Sequence, residues 1–204
     1  MAFSKIDIAS MALIKVGGEP ITSFTDGTRS AQVVSNLYDQ TKQSLFYSTF
    51  WNFATEKTTL ARLTETPTDK SYKFVYQAPG DVMRVKGVFD ESGVLNNTYS
   101  YEQNKLYTNL NTCNLIYIKE VSEANMPPFF SEALVSKLAY EICEGVTGVA
   151  TKSQRLAQEY EKKLRFAKVT DAQETPPQSI VGAGHLVEAR ISGSTPSVIK
   201  ERFN

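Results

Sequence analysis

Within residues 1 to 172, apolar residues recur with the spacing of helices in the first and last parts, and with the alternation of strands in the middle. The clearest helical pattern follows Pro127 and Pro128, which suit a first helical turn because proline lacks a backbone donor. Its apolar stripe consists of Leu134, Val135, Leu138, Ala139, Ile142, Cys143 and Val146. Because these residues recur every three to four positions, they predict one long helix, which Gly145 and Gly148 should weaken.

A further helix is predicted directly after it, so that Met126 to Ala172 forms an antiparallel helix pair. Thr151 to Gln154 fits a capping box, in which the threonine and glutamine side chains satisfy free backbone N–H groups. The apolar stripe of this helix is Leu156, Tyr160, Leu164 and Ala167. On its outer face, Glu159 with Lys163 and Glu161 with Arg165 have the spacing of intrahelical ion pairs.

Two more helices are predicted near the start of the chain. Ser4 to Asp7 fits a capping pattern, and Gly17 and Gly18 end the segment. Thr28 can cap a longer helix that runs to about Ser48. The exit of this helix is rich in aromatic residues, namely Phe46, Tyr47, Phe50, Trp51 and Phe53. Basic residues are not interleaved with the rings, so the pattern favours an apolar plug over a base-stacking platform.

From Asn52 the period becomes alternating, which predicts strands. Strands are expected near Tyr72 to Tyr76 and at Val82 to Phe89. The segments containing Tyr99 and Tyr101, then Leu106 and Tyr107, then Leu115 to Val121 are predicted to form a three-stranded antiparallel meander. Residues 52 to 121 therefore indicate a small β module placed between two helical pairs.

The last segment, after Thr175, has too many glycines and prolines for a regular element, yet it carries apolar residues along its length. Ordering this segment costs about 1 to 2 kcal/mol of conformational free energy per residue, which is more than burial of its apolar side chains returns. The segment would therefore need main-chain pairing with a partner's strand edge to become ordered throughout. We predict an extended arm that binds another subunit, with a disordered end as the alternative. The fold class is thus α+β: an antiparallel bundle of about four helices (residues 1–51 and 122–175), an inserted β module (52–121) and an arm (176–204).

Charge and cysteine content reduce the number of functional classes that fit the sequence. The chain has 22 Lys and Arg against 22 Asp and Glu, so no net field recruits nucleic acid or an anionic membrane. Cys113 and Cys143 are expected to be buried, reduced thiols. No apolar run is long enough to span a membrane, and the first residues do not resemble a secretory signal.

Candidate catalytic or ligand-binding chemistry is sparse. The single histidine, His185, lies in the glycine-rich arm, where a general base is hard to hold in place. No metal-ligand spacing, phosphate-binding loop or nucleophile motif occurs, so neither a metal nor a cofactor is expected. Glu141 and Glu144 could serve a glycosidase mechanism, but that spacing also occurs on any solvated helix face. We expect no enzymatic activity.

Several short motifs occur in the order typical of one protein family. They are Ile14 to Pro20 (IKVGGEP), an alanine-containing helix from Arg29, Trp51 to Phe53 (WNF), Met126 to Phe130 (MPPFF) and a charged helix ending near Ala172. On these motifs the chain resembles the head-to-tail adaptors of short-tailed bacteriophages, the T7-type tail tubular protein A family. The resemblance covers about residues 5 to 60 and 120 to 175.

This resemblance implies a structural virion protein, assembled in the host cytoplasm and located at the head-to-tail junction. It implies a ring of about twelve copies between the portal and the tail nozzle, which continues the DNA channel without sequence-specific binding to DNA. Under it, the arm would bind the portal through Ile180, Leu186, Val187, Ile191, Val198, Ile199 and Phe203. The β module would face the nozzle or tail fibres through Tyr99, Tyr101 and Tyr107.

Two alternatives remain open at the level of sequence. One is a head-completion connector of a long-tailed phage, which would share the helical bundle. The other is a peptidoglycan-cleaving virion enzyme that uses Glu141 and Glu144.

Overall fold

Two helices, eight strands and two further helices follow one another in the computed structural model, which describes residues 3 to 174. The helices are α1 (Lys5–Val16), α2 (Arg29–Tyr47), α3 (Pro128–Thr147) and α4 (Ala150–Gln173), and a 3-10 turn (Glu123–Asn125) precedes α3. Since the sheets are antiparallel, the predicted α+β class is confirmed. Within these residues, no helix is both long enough and apolar enough to cross a membrane.

The ends of the first two helices follow the predicted capping chemistry. Ser4 and Asp7 form a reciprocal capping box at the start of α1, and Gly17 ends that helix with a left-handed φ of 78°. At the start of α2, the Thr28 hydroxyl accepts a hydrogen bond from the Ala31 backbone N–H. These local contacts explain why both helices begin, and why α1 ends, where the sequence indicates.

Helix α3 lies at the centre of the helical region, because α1, α2 and α4 all pack against it. Its predicted stripe is buried apart from Val146, which is half-buried. Six further residues of α3 are buried as well: Phe129, Phe130, Ser131, Ala133, Ser136 and Lys137. A helix that is covered on three sides needs small or apolar residues around most of its circumference, not one stripe.

The predicted cap of α4, Thr151, lies two residues after the observed cap position, Val149, and the predicted capping box does not form. The helix begins at Ala150 after Val149, and no side chain caps its first turn. Gly148 ends α3 with a left-handed φ of 68°, so little chain remains between the two helices and Thr151 is already helical. The predicted apolar face of α4 is correct, since Leu156 and Ala167 are buried and Tyr160 and Leu164 pack against the same core.

The strands form two four-stranded antiparallel sheets. They are β1 (Thr55–Thr59), β2 (Ala61–Arg62), β3 (Phe74–Gln77), β4 (Val82–Phe89), β5 (Leu95–Asn96), β6 (Tyr99–Glu102), β7 (Lys105–Thr108) and β8 (Asn114–Lys119). One sheet has the order β1-β8-β4-β5 and the other β2-β3-β7-β6. A tight turn joins β6 to β7, with positive φ at both Gln103 and Asn104, as the primed hairpin turns require.

The predicted three-stranded meander is wrong in its last strand. Strands β6 and β7 pair as expected, but β7 pairs on its other side with β3, and β8 lies in the other sheet between β1 and β4. The physical reason is that β8 has apolar residues on both faces. It therefore belongs inside a layer that is covered on both sides, which the half-exposed hairpin cannot provide.

Strand β8 contributes to two hydrophobic clusters. Leu115 and Tyr117 belong to a cluster between the two sheets, whereas Ile118 belongs to the helical core. Since successive side chains of a strand point to opposite faces, one strand serves both cores. The predicted arm, residues 176–204, lies outside the described residues, and so do its seven candidate portal-binding residues and His185.

Candidate functional site

An aromatic cluster joins the two halves of the helical region. Phe130 in the first turn of α3 lies with its ring centroid 4.7 Å from that of Phe46, 4.9 Å from that of Phe53 and 5.1 Å from that of Trp51. Trp51 is fully buried, and its indole N–H donates to the Leu45 carbonyl over 3.0 Å. Three of the five aromatic residues of the predicted apolar plug, Phe46, Trp51 and Phe53, therefore lie in this cluster. Tyr47 is exposed, and Phe50 packs beneath the Arg84 guanidinium.

Asp171, near the end of α4, holds the chain at Asn52 and Phe53. Its carboxyl oxygens accept from the Asn52 N–H over 2.8 Å and from the Phe53 N–H over 3.3 Å. The Asn52 side-chain amide in turn donates to the Asp171 carbonyl over 2.9 Å. Asp171 is almost fully buried. This set of bonds, here called the Asp171 clasp, fixes the point where the chain leaves the helices and enters the first strand.

A partly buried ionic cluster, in which Lys42 is the buried member, lies between α2 and the segment that leads into α3. Lys42 Nζ contacts Glu120 Oε1 at 2.6 Å and Glu123 Oε1 at 3.0 Å, and the Tyr38 hydroxyl donates to the same Glu123 oxygen. Lys42 lies on the apolar face of α2, between Tyr38 and Leu45. Burying a lysine charge on such a face is costly, and the two carboxylates offset that cost.

Burial and pairing act in opposite directions on the pKa of Glu123. Burial alone raises it, but hydrogen bonds from Lys42, a backbone N–H and Tyr38, together with the charge of Lys42, outweigh burial and bring it below the usual value of 4.5. For Lys42, burial lowers the pKa while the hydrogen bonds and charges of Glu120 and Glu123 raise it, and the net pKa is raised. Both shifts favour the charged pair.

Acid should therefore remove the stability that this cluster provides. A carboxyl group whose folded pKa is depressed contributes stability above its unfolded pKa and loses it as the pH falls through the folded pKa. We expect Glu123→Gln to lower the free energy of unfolding at pH 7 by about 1.5 to 3 kcal/mol, and to reduce the loss of stability below pH 4.5. Urea unfolding between pH 7 and pH 3 would measure both effects.

Tyr38→Phe is the matched control for that experiment, because it removes one hydrogen bond from Glu123 and leaves Lys42 in place. Its acid dependence should lie between those of the wild type and Glu123→Gln. Equal acid dependence in the wild type and Glu123→Gln would mean that other carboxyl groups dominate acid unfolding.

A groove of about 410 Å³ separates α1 from α4 on the surface of α3. Apolar residues of α1 and α3, including Met11, Ile14 and Val135, line it together with charged residues of α4. Lys15 pairs with Glu159 across the groove, and Lys163 pairs with Glu132 over 2.6 Å. The predicted pairing of Glu159 with Lys163 inside α4 is therefore wrong, because each finds an opposite charge on a neighbouring helix; Glu161 and Arg165 form no ion pair among residues 3 to 174.

The three candidate tyrosines of the β module are half-buried and lie on two faces of one sheet. Tyr99 and Tyr101 pair with Thr108 and Leu106, on the face that packs into the cluster between the sheets. Tyr107 lies on the opposite face, 6.4 Å from the ring of Tyr72. The three residues therefore do not form one patch, and Tyr107 is separate from the other two.

The other candidate residues fall into two groups. Glu141 and Glu144 are exposed on α3, one helical turn apart. Cys113 and Cys143 are both buried and unpaired, as predicted, and burial raises the pKa of the Cys113 thiol to about 11. Between residues 3 and 174, no three His, Cys, Asp or Glu side chains come together as a metal site.

Sequence reasoning missed Asp171, Lys42 and Glu123. A signal was present for two of them, because Asp171 continues the buried face of α4 four residues after Ala167, and Lys42 interrupts the apolar face of α2. Glu123 gave no such signal, since it lies in a short turn.

In comparisons with known proteins, no family model matches this chain, and a search of curated proteins gives no match.

Proposed function

We propose that this protein is a structural component of a phage virion, a head-to-tail adaptor that forms a ring between the portal and the tail nozzle. In this proposal the four helices act as a bundle, the two sheets form the inserted β module and residues 176–204 form an arm that binds the portal. The ring continues the DNA channel, and genomic DNA passes through it without sequence-specific binding. The protein is not an enzyme, and it needs no cofactor.

One observation carries the proposal. The WNF and MPPFF motifs, which carry the family resemblance, pack together in the aromatic cluster although all eight strands separate them along the chain. The Asp171 clasp adds the end of the charged helix to the same place. Motifs that make one joint have a shared structural reason to occur together, which supports the family assignment more strongly than separate short matches.

The partner roles follow from the chemistry of the two regions. The arm carries the apolar residues Ile180, Leu186, Val187, Ile191, Val198, Ile199 and Phe203, which would anchor the protein to the portal. Tyrosine offers apolar area with a polar tip, so Tyr107, Tyr99 and Tyr101 would contact the nozzle or tail fibres. Since Tyr99 and Tyr101 also pack into the sheet cluster, Tyr107→Ser is the variant that tests nozzle binding with the least effect on folding.

Light scattering with the portal ring of the same phage tests the assignment. We expect the molar mass to increase by about one copy of this chain for each portal subunit. Deletion of residues 176–204 should abolish the increase, because the portal anchor is lost, while residues 1–174 form a compact unit that should keep its circular dichroism spectrum.

Each result has a clear meaning. A truncated protein that still joins the portal would refute the role of the arm, and a full chain that ignores the portal would refute the adaptor function. In that case a cell-wall hydrolysis assay with Glu141→Gln and Glu144→Gln would test the enzymatic alternative, and binding to a tube-forming tail would test the long-tailed connector.

A further inference from the structure

The side of α4 that faces away from the core combines positive charge with exposed apolar area. At 3.6 residues per turn, it lies opposite Leu156, Tyr160 and Ala167, which pack inward. The outward residues are Arg155, Lys162, Arg165, Phe166 and Val169. Phe166 is 60% exposed and Val169 51% exposed. The three basic residues form no ion pair in the described part of the chain, and the exposed Glu161 is the acidic residue one turn from Arg165, so basic charge predominates on this face.

An acidic counterpart exists on another helix. Glu141 and Glu144 are exposed on α3, and the ion pairs formed among residues 3 to 174 involve neither of them. They are three residues apart, as are Lys162 and Arg165. Side chains at this spacing lie about 5 to 6 Å apart on one side of a helix, so two such helices can form both ion pairs at once.

We propose that the outward face of α4 in one copy binds the Glu141 and Glu144 edge of α3 in a second copy. This inference rests on the proposed function, because it assigns the contact between neighbouring subunits of the ring. The two surfaces differ, so the contact is heterologous, and a heterologous contact generates a closed ring when its rotation closes. Phe166 and Val169 lie beside the basic residues and supply the apolar area of the interface.

The composition of the α4 face favours a second copy over DNA. Phosphates would satisfy Arg155, Lys162 and Arg165 but would leave Phe166 and Val169 uncovered. The chain as a whole has a net charge of zero, so it has no long-range attraction for DNA. A protein surface with two carboxylates one turn apart satisfies the charges and covers the apolar side chains together.

Charge reversal on each side tests the contact in the full-length protein. The first variant carries Lys162→Glu and Arg165→Glu, and the second carries Glu141→Lys and Glu144→Lys. Each variant alone opposes like charges at every contact, so we expect self-association, with or without the portal ring, to weaken about tenfold or more. Lys70→Glu, on an exposed loop of the β module, is the control and should assemble as the wild type does.

Mixing the two variants gives the decisive result. In a ring that alternates them, one contact is the original pair and the next is the reversed pair, so every contact joins opposite charges. An equimolar mixture should therefore recover the molar mass of the wild-type assembly by light scattering. This recovery needs an even number of subunits and cannot arise if the substitutions simply unfold the protein.

The possible failures separate the two proposals. If the wild type assembles and both variants assemble equally well, the surface assignment is wrong while the adaptor function stands. If the mixture stays unassembled, the two faces do not meet each other. If the first variant assembles normally but loses affinity for a labelled DNA duplex, the α4 face binds nucleic acid. If the wild type never associates, even with the portal ring, both proposals fall.

Discussion

Replacing Phe130 with alanine should lower the free energy of unfolding by about 3 to 5 kcal/mol, in line with other truncations of buried aromatic side chains. The ring of Phe130 is fully buried and contacts those of Phe46, Trp51 and Phe53, so its removal leaves a cavity at the joint of the helical region. The surrounding rings also pack against one another, Phe46 on Phe53 and Trp51 on Phe53, which limits how far the cavity can collapse. Urea unfolding followed by circular dichroism would measure the loss.

Phe166→Ala is the matched control, because it makes the same substitution at a site that is 60% exposed. At a concentration where the protein is monomeric, it should change the free energy of unfolding by less than about 0.5 kcal/mol. A loss below about 1 kcal/mol for Phe130→Ala would show that the aromatic cluster tolerates a cavity, and would weaken its role as the joint between the motifs.

The Asp171 clasp should give the second large effect. Asp171→Ala removes the acceptor for the backbone N–H groups of Asn52 and Phe53. A buried donor left unsatisfied costs about 1 to 3 kcal/mol, and both residues are half-buried, so water can satisfy them in part. We expect a total loss of about 2 to 3 kcal/mol, with the Asn52 and Phe53 amides exchanging hydrogen much faster than those in the middle of α3.

Asp171→Asn separates the acceptor from the packing of the side chain. The amide has nearly the same shape as the carboxyl group but keeps only one acceptor oxygen, so its loss should be smaller than that of Asp171→Ala. If both variants exchanged at Asn52 and Phe53 as slowly as the wild type, the clasp would not determine the protection of this segment.

Local sequence signals predicted the helices well because the controlling interactions are local. The Ser4 and Asp7 capping box, the Thr28 cap and Gly17 each act within a few residues, so the sequence contains the whole interaction. The start of α4 is the exception. There, the preceding Gly148 decided the boundary, and the expected threonine cap did not form.

Pairings between distant segments could not be predicted in the same way. The sequence placed β8 beside β7, but its partners are β1 and β4, because its two apolar faces require cover on both sides. Likewise Glu159 and Lys163 have the spacing of an intrahelical pair, yet each pairs with a residue on another helix. Spacing along one helix indicates which side chains are near each other, but not which charges a neighbouring helix brings.

The candidate surfaces show the same difference between local patterns and contacts that join distant segments. The exposed basic residues of α4 and the exposed glutamates of α3 could be listed from the sequence, since helix period alone places them outside the core. The clasp at Asp171 could not, because Asn52 and Asp171 are 119 residues apart in the chain and meet only after folding. The sequence did not indicate that Tyr107 lies on the opposite face of the sheet from Tyr99 and Tyr101, since the pairing of β6 with β7 sets that arrangement.

The double role of β8 restricts how the length of this chain can change during evolution. Inserting one residue at the start of β8, with the rest of the strand shifted in register, would exchange its faces, directing Leu115 and Tyr117 toward the helices and Ile118 toward the other sheet. Both hydrophobic clusters would be disrupted at once. The turn between β4 and β5 has exposed residues from Glu91 to Val94 and can absorb added length. Homologous chains should therefore vary in length in that turn and keep β8 free of insertions.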